Sequence, residues 1–207
     1  IKVYGESGNT VATKAVLPPF TLGGHQIERL VCTVRDLNTT SSIRDPKDFA
    51  IAGVLGMDVM RVFRTHFKPE DANIIFTNPK TATEIEDGLK LRREWGTGLR
   101  PTLRTQINDK KRWLILDTGA SITLANGRTL DLDEDKRLSS AVVKGSGSGQ
   151  KVRSVQRYEV NQLGLVGLES KPGILYDRRR GPFLLGLLGL NVLGDYNQEY
   201  DWKKGRA

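Results

Sequence analysis

Cysteine, histidine and long apolar runs are what this sequence has least of. One cysteine, Cys32, excludes an internal disulfide, and the two histidines, His25 and His66, do not combine with it at zinc-ligand spacing. That excludes a zinc-type hydrolase, and no metal site is expected. The longest apolar run, Phe183 to Leu193, is about half of the ~20 residues that a membrane-spanning helix needs, and Gly186 and Gly189 interrupt it. A soluble chain with no membrane span is the expectation. Apolar stripes at helical spacing are scarce as well, which argues against an α-helical fold. Ile1 stands where a start methionine would, with no charged-then-apolar signal segment, so the expectation is a processed product or a fragment whose true beginning is missing. The lack of disulfides fits cytoplasm, whereas a signal segment on a missing front end would place the chain in a secreted or periplasmic location.

What is present points to β-structure. The 207 residues suffice for one large domain or two small ones with a real core, and the 22 glycines supply many turns. The balance of 32 basic against 24 acidic residues gives +8, which fits a polyanion partner and equally an ordinary basic surface. No specific nucleic-acid partner is expected.

Two stretches repeat in order. Gly53 to Lys68 aligns with Gly186 to Asp201, matching Leu55 with Leu188, Gly56 with Gly189 and Val59 with Val192, at an offset of 133 (186 minus 53). A weaker pair lies upstream: Gly8 to Val11 against Gly149 to Val152, and Leu22 against Leu163, the latter at an offset of 141 (163 minus 22). Both copies read as strands, Gln26 to Leu37 in the first and Arg153 to Leu165 in the second. Each is followed by a polar loop (Asn38 to Asp48; Glu169 to Gly181), then an apolar strand ending at Gly56 or Gly189, a helical turn and another extended piece such as Asn73 to Thr77. Residues 78–99 form the expected linker, with a short helix over Thr81 to Trp95 that Thr83 and Glu86 would cap. The expected domains are thus 1–77 and 100–207. Pro101 to Leu116 reads as a hairpin turning at Asn108–Lys111, without the favoured Asn-Gly.

The sharpest feature is Trp-Leu-Ile-Leu-Asp-Thr-Gly-Ala-Ser, Trp113 to Ser121. An apolar strand that ends in Asp117 is costly unless the carboxylate finds donors. Gly119 permits a tight turn that aims amide N–H groups at the acid, and the hydroxyls of Thr118 and Ser121 add donors. The tripeptide alone also fits a plain turn after a strand. Elsewhere, Asp177 to Gly181 carries three arginines, suited to acidic side chains of a substrate or simply solvated. Cys32 is expected in a core strand, and Asp58 at a helix cap or on the surface. The Gly-Ser-Gly-Ser-Gly string at 145–149 lacks the Lys-Ser/Thr ending of a phosphate cradle. No cofactor is expected.

Leu114 to Ser121, followed about 70 residues later by Leu187-Leu188-Gly189, resembles the aspartic proteases, most closely the retropepsin-like clan to which the two-lobed pepsin-type enzymes are related. The resemblance covers Pro101 to Trp202, and extends to Ile1 to Thr77 through a flap-like Val3 to Val11 and a lobe-closing Ala52 to Phe63. It implies an all-β fold of acid-protease β-barrel lobes, two related lobes of which the first is incomplete. It implies an aspartic endopeptidase in which Asp117 is one of two carboxylates that share a proton and activate a water. The aspartic-protease dyad is itself the standard example of such sharing. Thr118 would then lock two lobes, Gly119 would orient the acid, and Ser121 would bond its outer oxygen. Tyr4 and Gly5, with Gly145, Gly147 and Gly149, would tip flaps over a peptide substrate, the other reading being hairpins without a role.

One departure stands out: Val54-Leu55-Gly56 closes the first copy, yet no Asp-Thr-Gly precedes it. Projecting Asp117 back by the two offsets places a partner acid roughly 16 to 24 residues before Ile1 (117 minus 133; 117 minus 141). Two alternatives stay open: a homodimer in which each subunit gives one Asp117, and a catalytically silent module that grips peptides or another protein.

Overall fold

A computed structural model describes residues 2–5, 8–34, 53–93, 100–144, 152–177 and 186–207, with side chains from residue 12 onward except 144, 152 and 153. These residues are all-β apart from short helical turns, as the glycine content and scarce helical periodicity suggest. They fall into two compact units, Ile1–Leu55 with Val142–Ser154, and Gly56–Ala141 with Val155–Ala207.

The first unit consists of antiparallel ribbons. β1 (Lys2–Gly5) pairs with β2 (Gly8–Val11), β3 (Thr13–Leu17) with β6 (Leu30–Val34), and β4 (Phe20–Leu22) with β5 (His25–Ile27). The β4–β5 turn uses Gly23 and Gly24, whose φ values of 54° and 80° favour glycine. The single strand expected from Gln26 to Leu37 is broken at Glu28–Arg29 into β5 and β6. Cys32 lies in β6, half-buried rather than in a core.

The second unit starts with α1 (Met57–Met60), β7 (Arg64–Lys68) and β8 (Asn73–Thr77). β9 (Arg92–Arg93), β10 (Pro101–Ile107), β11 (Lys110–Leu116) and β12 (Leu124–Ala125) follow. Next come β13 (Arg137–Lys144) and β14 (Val152–Leu165), which run into the first unit, and β15 (Lys171–Asp177). β16 (Leu187–Leu188), α2 (Leu190–Leu193) and β17 (Gln198–Asp201) complete the chain. One sheet runs in the order β13-β14-β15-β12-β16-β11-β10-β9, and β14 also pairs with β10, so six strands close into a ring. Inward residues alternate with outward ones along the strands, as a barrel wall requires. Leu103, Ile107, Leu114, Leu175, Leu188 and Leu193, each at most 2% exposed, fill its interior. Each such side chain contributes on the order of 1.5–3 kcal/mol by leaving water.

The β10–β11 hairpin turns at Asn108, which takes a left-handed φ of 50° in place of the glycine that the sequence lacks. Its side-chain oxygen accepts from the amides of Asn161 (2.8 Å) and Gln162 (3.3 Å), tying the hairpin to β14 at the ring's closure.

Two expectations are corrected here. The helix over Thr81 to Trp95 does not form among its described residues, because Leu89 and Leu91 spend their backbone groups on Ala207 and Gly205, and Arg92–Arg93 joins β10. Lys171–Asp177, expected as polar loop, is strand β15, with Leu175 fully buried. Its last residue, Asp177, is 3% exposed and accepts from the Gly127 amide at 2.7 Å, so it is a buried structural carboxylate. Arg178 to Arg180 lie outside the described residues.

A second, three-stranded sheet has the order β17-β7-β8. Several residues 133 apart, in and beside it, adopt similar conformations. Met57–Met60 and Leu190–Leu193 are both helical after an extended glycine, and each buries its last two residues. The pair Lys68↔Asn73 corresponds to the bridge Asp201↔Arg206, and Ala72 (φ 51°) corresponds to Gly205 (φ 68°). β7 and β17 pair antiparallel with His66 opposite Glu199, themselves 133 apart. Tyr200 stacks on Trp202 at 4.5 Å and meets the edge of Phe67 at 5.8 Å, while the Trp202 indole donates to Thr65 Oγ1 at 3.0 Å. Arg64, 5% exposed, is paired with Glu199 at 2.9 Å and Asp201 at 3.5 Å.

Burial holds the Tyr200 phenol well above its ordinary pKa of 10.0. Above pH 10 the unfolded chain loses a proton that the folded chain keeps, so this contribution to stability is complete below pH 10 and falls as pH rises beyond it. The expected slope is about 1.4 kcal/mol per pH unit. Urea unfolding between pH 9 and 11 will therefore show a falling midpoint, and a shallower fall in Tyr200→Phe.

Gly53 and Gly186 occupy matching sequence positions but differ in surroundings. A Cβ on Gly186 would lie 1.8 Å from the Leu124 carbonyl oxygen, whereas one on Gly53 meets nothing within 4 Å. Gly186→Ala is expected to lower unfolding free energy by ~3 kcal/mol, and Gly53→Ala to leave it unchanged, as measured by denaturant titration.

Candidate active site

The site grows from the end of β11. Leu114 and Leu116 point into the barrel and fix the strand's rotation, and the parallel ladder with β16 pairs Ile115 with Leu187 and Leu116 with Leu188. The Asp117 amide continues that ladder by donating to the Leu188 carbonyl at 3.1 Å. The chain then turns: Ala120 N donates to Asp117 O at 3.1 Å, and the Gly119 amide donates to Asp117 Oδ1 at 3.1 Å. Asp117 and Thr118 are half-buried and Ser121 is exposed.

The loop leaves this turn, enters β12, and β16 lies between its two arms, parallel to β11 and antiparallel to β12. The crossing is tight. Leu190 N donates to Ala120 O at 2.8 Å, and a Cβ on Gly189 would sit 2.2 Å from the Ile122 carbonyl oxygen and 2.8 Å from that of Ala120. Gly189 has an extended backbone (φ −105°), so close approach, not conformational freedom, is what demands glycine.

Thr123 and Asn191 secure the crossing, and the motifs gave them no role. The Thr123 hydroxyl, completely buried, accepts from the Gly189 amide at 3.1 Å and donates to Asn191 Oδ1 at 2.7 Å. Asn191 Nδ2 then donates to the Ile174 carbonyl at 3.2 Å. A threonine in the apolar run Ile122 to Ala125 was the available signal. Asp58, 133 residues before Asn191, is exposed, and among the described residues its carboxylate accepts from its neighbour's amide, Val59 N, at 3.1 Å.

The geometry brings Asp117 and Gly119 together. Among the described residues no hydrogen bond joins Ser121 or the Thr118 side chain to the Asp117 carboxylate, and no cation pairs with it. The result is a half-exposed carboxylate held by one backbone donor on a rigid strand end. It can accept a proton from water; polarising a carbonyl on the other side needs a second acid. Tyr4 and Gly5 belong to the β1–β2 hairpin, in which Gly5 pairs with Gly8. Gly145, Gly147 and Gly149 lie outside the described residues, between β13 and β14. Among the described residues no group of three His, Cys, Asp or Glu could hold a metal ion, and no helix is long and apolar enough to cross a membrane.

No family model matches the sequence, and no curated protein matches it. Several solved structures are similar to it, two of which follow. One is a retropepsin-like aspartic protease from Rickettsia conorii, 18% identical, with a TM-score of 0.42 over 55% of this chain and 92% of that one. The other is EIAV protease complexed with the inhibitor HBY-793, 20% identical, with a TM-score of 0.33 over 49% of this chain and 92% of that one.

Thr123→Val keeps the volume and removes the hydroxyl, leaving the Gly189 amide and Asn191 Oδ1 without their partner. It is expected to cost ~1–3 kcal/mol in a chemical unfolding experiment, with Thr123→Ser recovering most of the loss.

Proposed function

We propose that this chain carries one half of an aspartic-type endopeptidase site, with Asp117 as the half it supplies. The observation that carries the reading is the clamped strand end: Asp117 bonded through its amide to Leu188, its carboxylate bonded by the Gly119 amide, and Gly189 wedged beneath the turn. Such a carboxylate is preorganised and open to solvent on one side, which suits a group that must hold a water in one orientation. Peptide hydrolysis then proceeds by acid–base chemistry. One carboxylate takes a proton from the water as it attacks the scissile carbonyl, a second acid protonates the carbonyl oxygen, and no covalent intermediate forms. In this reading Thr118 and Ser121 close around the pair once the second acid is in place, and the hairpins tipped by Tyr4–Gly5 and by Gly145, Gly147 and Gly149 cover an extended peptide.

The second acid comes from a preceding copy of the same unit. The support is the matched pair of structures at 133 residues: equal helical turns, equal hairpin turns with left-handed Ala72 and Gly205, and His66 opposite its own counterpart Glu199. An antiparallel pair centred on equivalent residues is what a local twofold axis produces. A homodimer would need only one such closing element per chain.

The test is cleavage of a denatured protein at acidic pH, with and without a pepstatin-like inhibitor. Four samples are compared: this chain, the same chain lengthened at its N-terminus to include the proposed upstream Asp-containing segment, and the Asp117→Asn form of each. The lengthened chain is expected to cleave, and Asp117→Asn to lower the rate by ~10²–10⁴-fold. Equal rates with and without Asp117 would remove it from the mechanism. Activity of the short chain that rises with concentration would assign the second acid to another copy. Inhibitor binding without cleavage in any sample would make this a binding module.

A further inference from the structure

We propose that the outer face of β9, β10 and β11 is a docking site for an acidic, extended peptide segment, separate from Asp117. Arg104 stands directly opposite Trp113 across the β10–β11 pair, and Arg92 on β9 pairs with Thr102, two residues along β10 from Arg104. The Arg92 guanidinium lies over the Trp113 ring, 4.3 Å from its centroid. Lys90 completes a set of three cations around a hollow of about 220 Å³, whose apolar surfaces come from Leu89, Trp113 and Val166. The scaffold is fixed by backbone bonds: Val166 N donates to Arg104 O at 2.9 Å, Leu91 N to Gly205 O at 2.9 Å, and the Thr102 hydroxyl to Arg92 O at 3.2 Å.

None of the six lining residues is acidic, and among the described residues Lys90, Arg92 and Arg104 make no ion pair. Three like charges converging on one hollow repel each other, and an anion seated among them relieves that repulsion. The hollow is smaller than the roughly 300–1,000 Å³ of pockets that enclose a drug-sized ligand. It admits one side chain, with neighbouring carboxylates reaching the cations. Single-stranded nucleic acid would require an open aromatic face for stacking. Here Arg92 already covers Trp113 and leaves that face closed to a base, while the planar guanidinium forks of Arg92 and Arg104 can each take a carboxylate. The occupant is therefore an apolar residue flanked by Asp or Glu in an extended chain. Asp117 lies four residues beyond Trp113, just past the end of β11 and about 13 Å away, so binding here does not depend on whether Asp117 cleaves peptides.

The experiment measures fluorescence anisotropy of a labelled peptide with one leucine flanked by glutamates, bound to the 207-residue chain carrying Asp117→Asn so that no cleavage intervenes. Affinity should fall at least tenfold in Arg92→Glu and in Arg104→Glu, fall with rising salt, and stay unchanged in Lys80→Glu, an exposed charge reversal outside the hollow. Arg104→Gln, with a smaller loss, serves if the reversal lowers the thermal midpoint. A lysine-flanked peptide should not bind. Equal losses in all three reversals would show attraction to net charge alone and overturn the proposal. So would tighter, competing binding of an oligothymidylate that is lost in the same two variants, since that assigns the hollow to nucleic acid.

Discussion

The arrangement depends on one close crossing, where the backbone of Gly189 passes beneath the turn at Ala120 and Ile122 with no space for a side-chain atom. Two hydrogen bonds flank it, Asp117 N to Leu188 O and Leu190 N to Ala120 O, and both require that approach. Because β16 lies between β11 and β12, the same crossing closes the barrel wall and sets where the Asp117 carboxylate stands. Fold and candidate chemistry are therefore one constraint seen from two sides. A carboxylate on a mobile loop would cost entropy to position, whereas here the positioning energy is already contained in strand pairing.

Around that crossing the polar groups are satisfied in series. The Thr123 hydroxyl accepts from the Gly189 amide and donates to Asn191 Oδ1, and the Asn191 side-chain amide donates to the Ile174 carbonyl on β15. The inner end of this chain, Thr123 with the Gly189 amide, is buried and is favourable only while both are bonded, whereas Asn191 at its outer end is exposed. The sheet of β17, β7 and β8 follows a similar rule, since Arg64 is buried with two carboxylates, and the Trp202 indole and Tyr200 phenol each find an acceptor. Stacked and edge-on aromatic rings then fill the space between.

The sequence carried the parts that depend on local chemistry. Apolar Leu114 to Leu116 ending in Asp117-Thr118-Gly119, and Leu187-Leu188-Gly189 later, announce a strand end and a close approach that only glycine permits. The hairpin was legible too, as a turn at Asn108–Lys111 between two extended segments, and the structure narrows its loop to Asn108–Asp109. What escaped depends on partners far along the chain. Lys171-Pro172-Gly173 resembles a turn until β14 pairs with it, and Thr81 to Trp95 resembles a capped helix until Gly205–Ala207 claim the backbone groups of Leu89 and Leu91. Thr123 and Asn191 are 68 residues apart, and neither side chain hints at the other. The gathering of Lys90, Arg92 and Arg104 around Trp113 likewise exists only once the register of three strands is set.

The ring formed when β14 pairs with both β15 and β10 has one further effect, on the behaviour of many molecules together. The six strands of the ring each have a neighbour on both sides, which leaves the open edges of this sheet to β13 and β9. In the three-stranded sheet β8 is an outermost strand, with Ile74 and Ile75 turned outward at 52% and 43% exposure. In concentrated solution β8 is one edge at which self-templated stacking can start, and a lysine at either isoleucine would blunt it there.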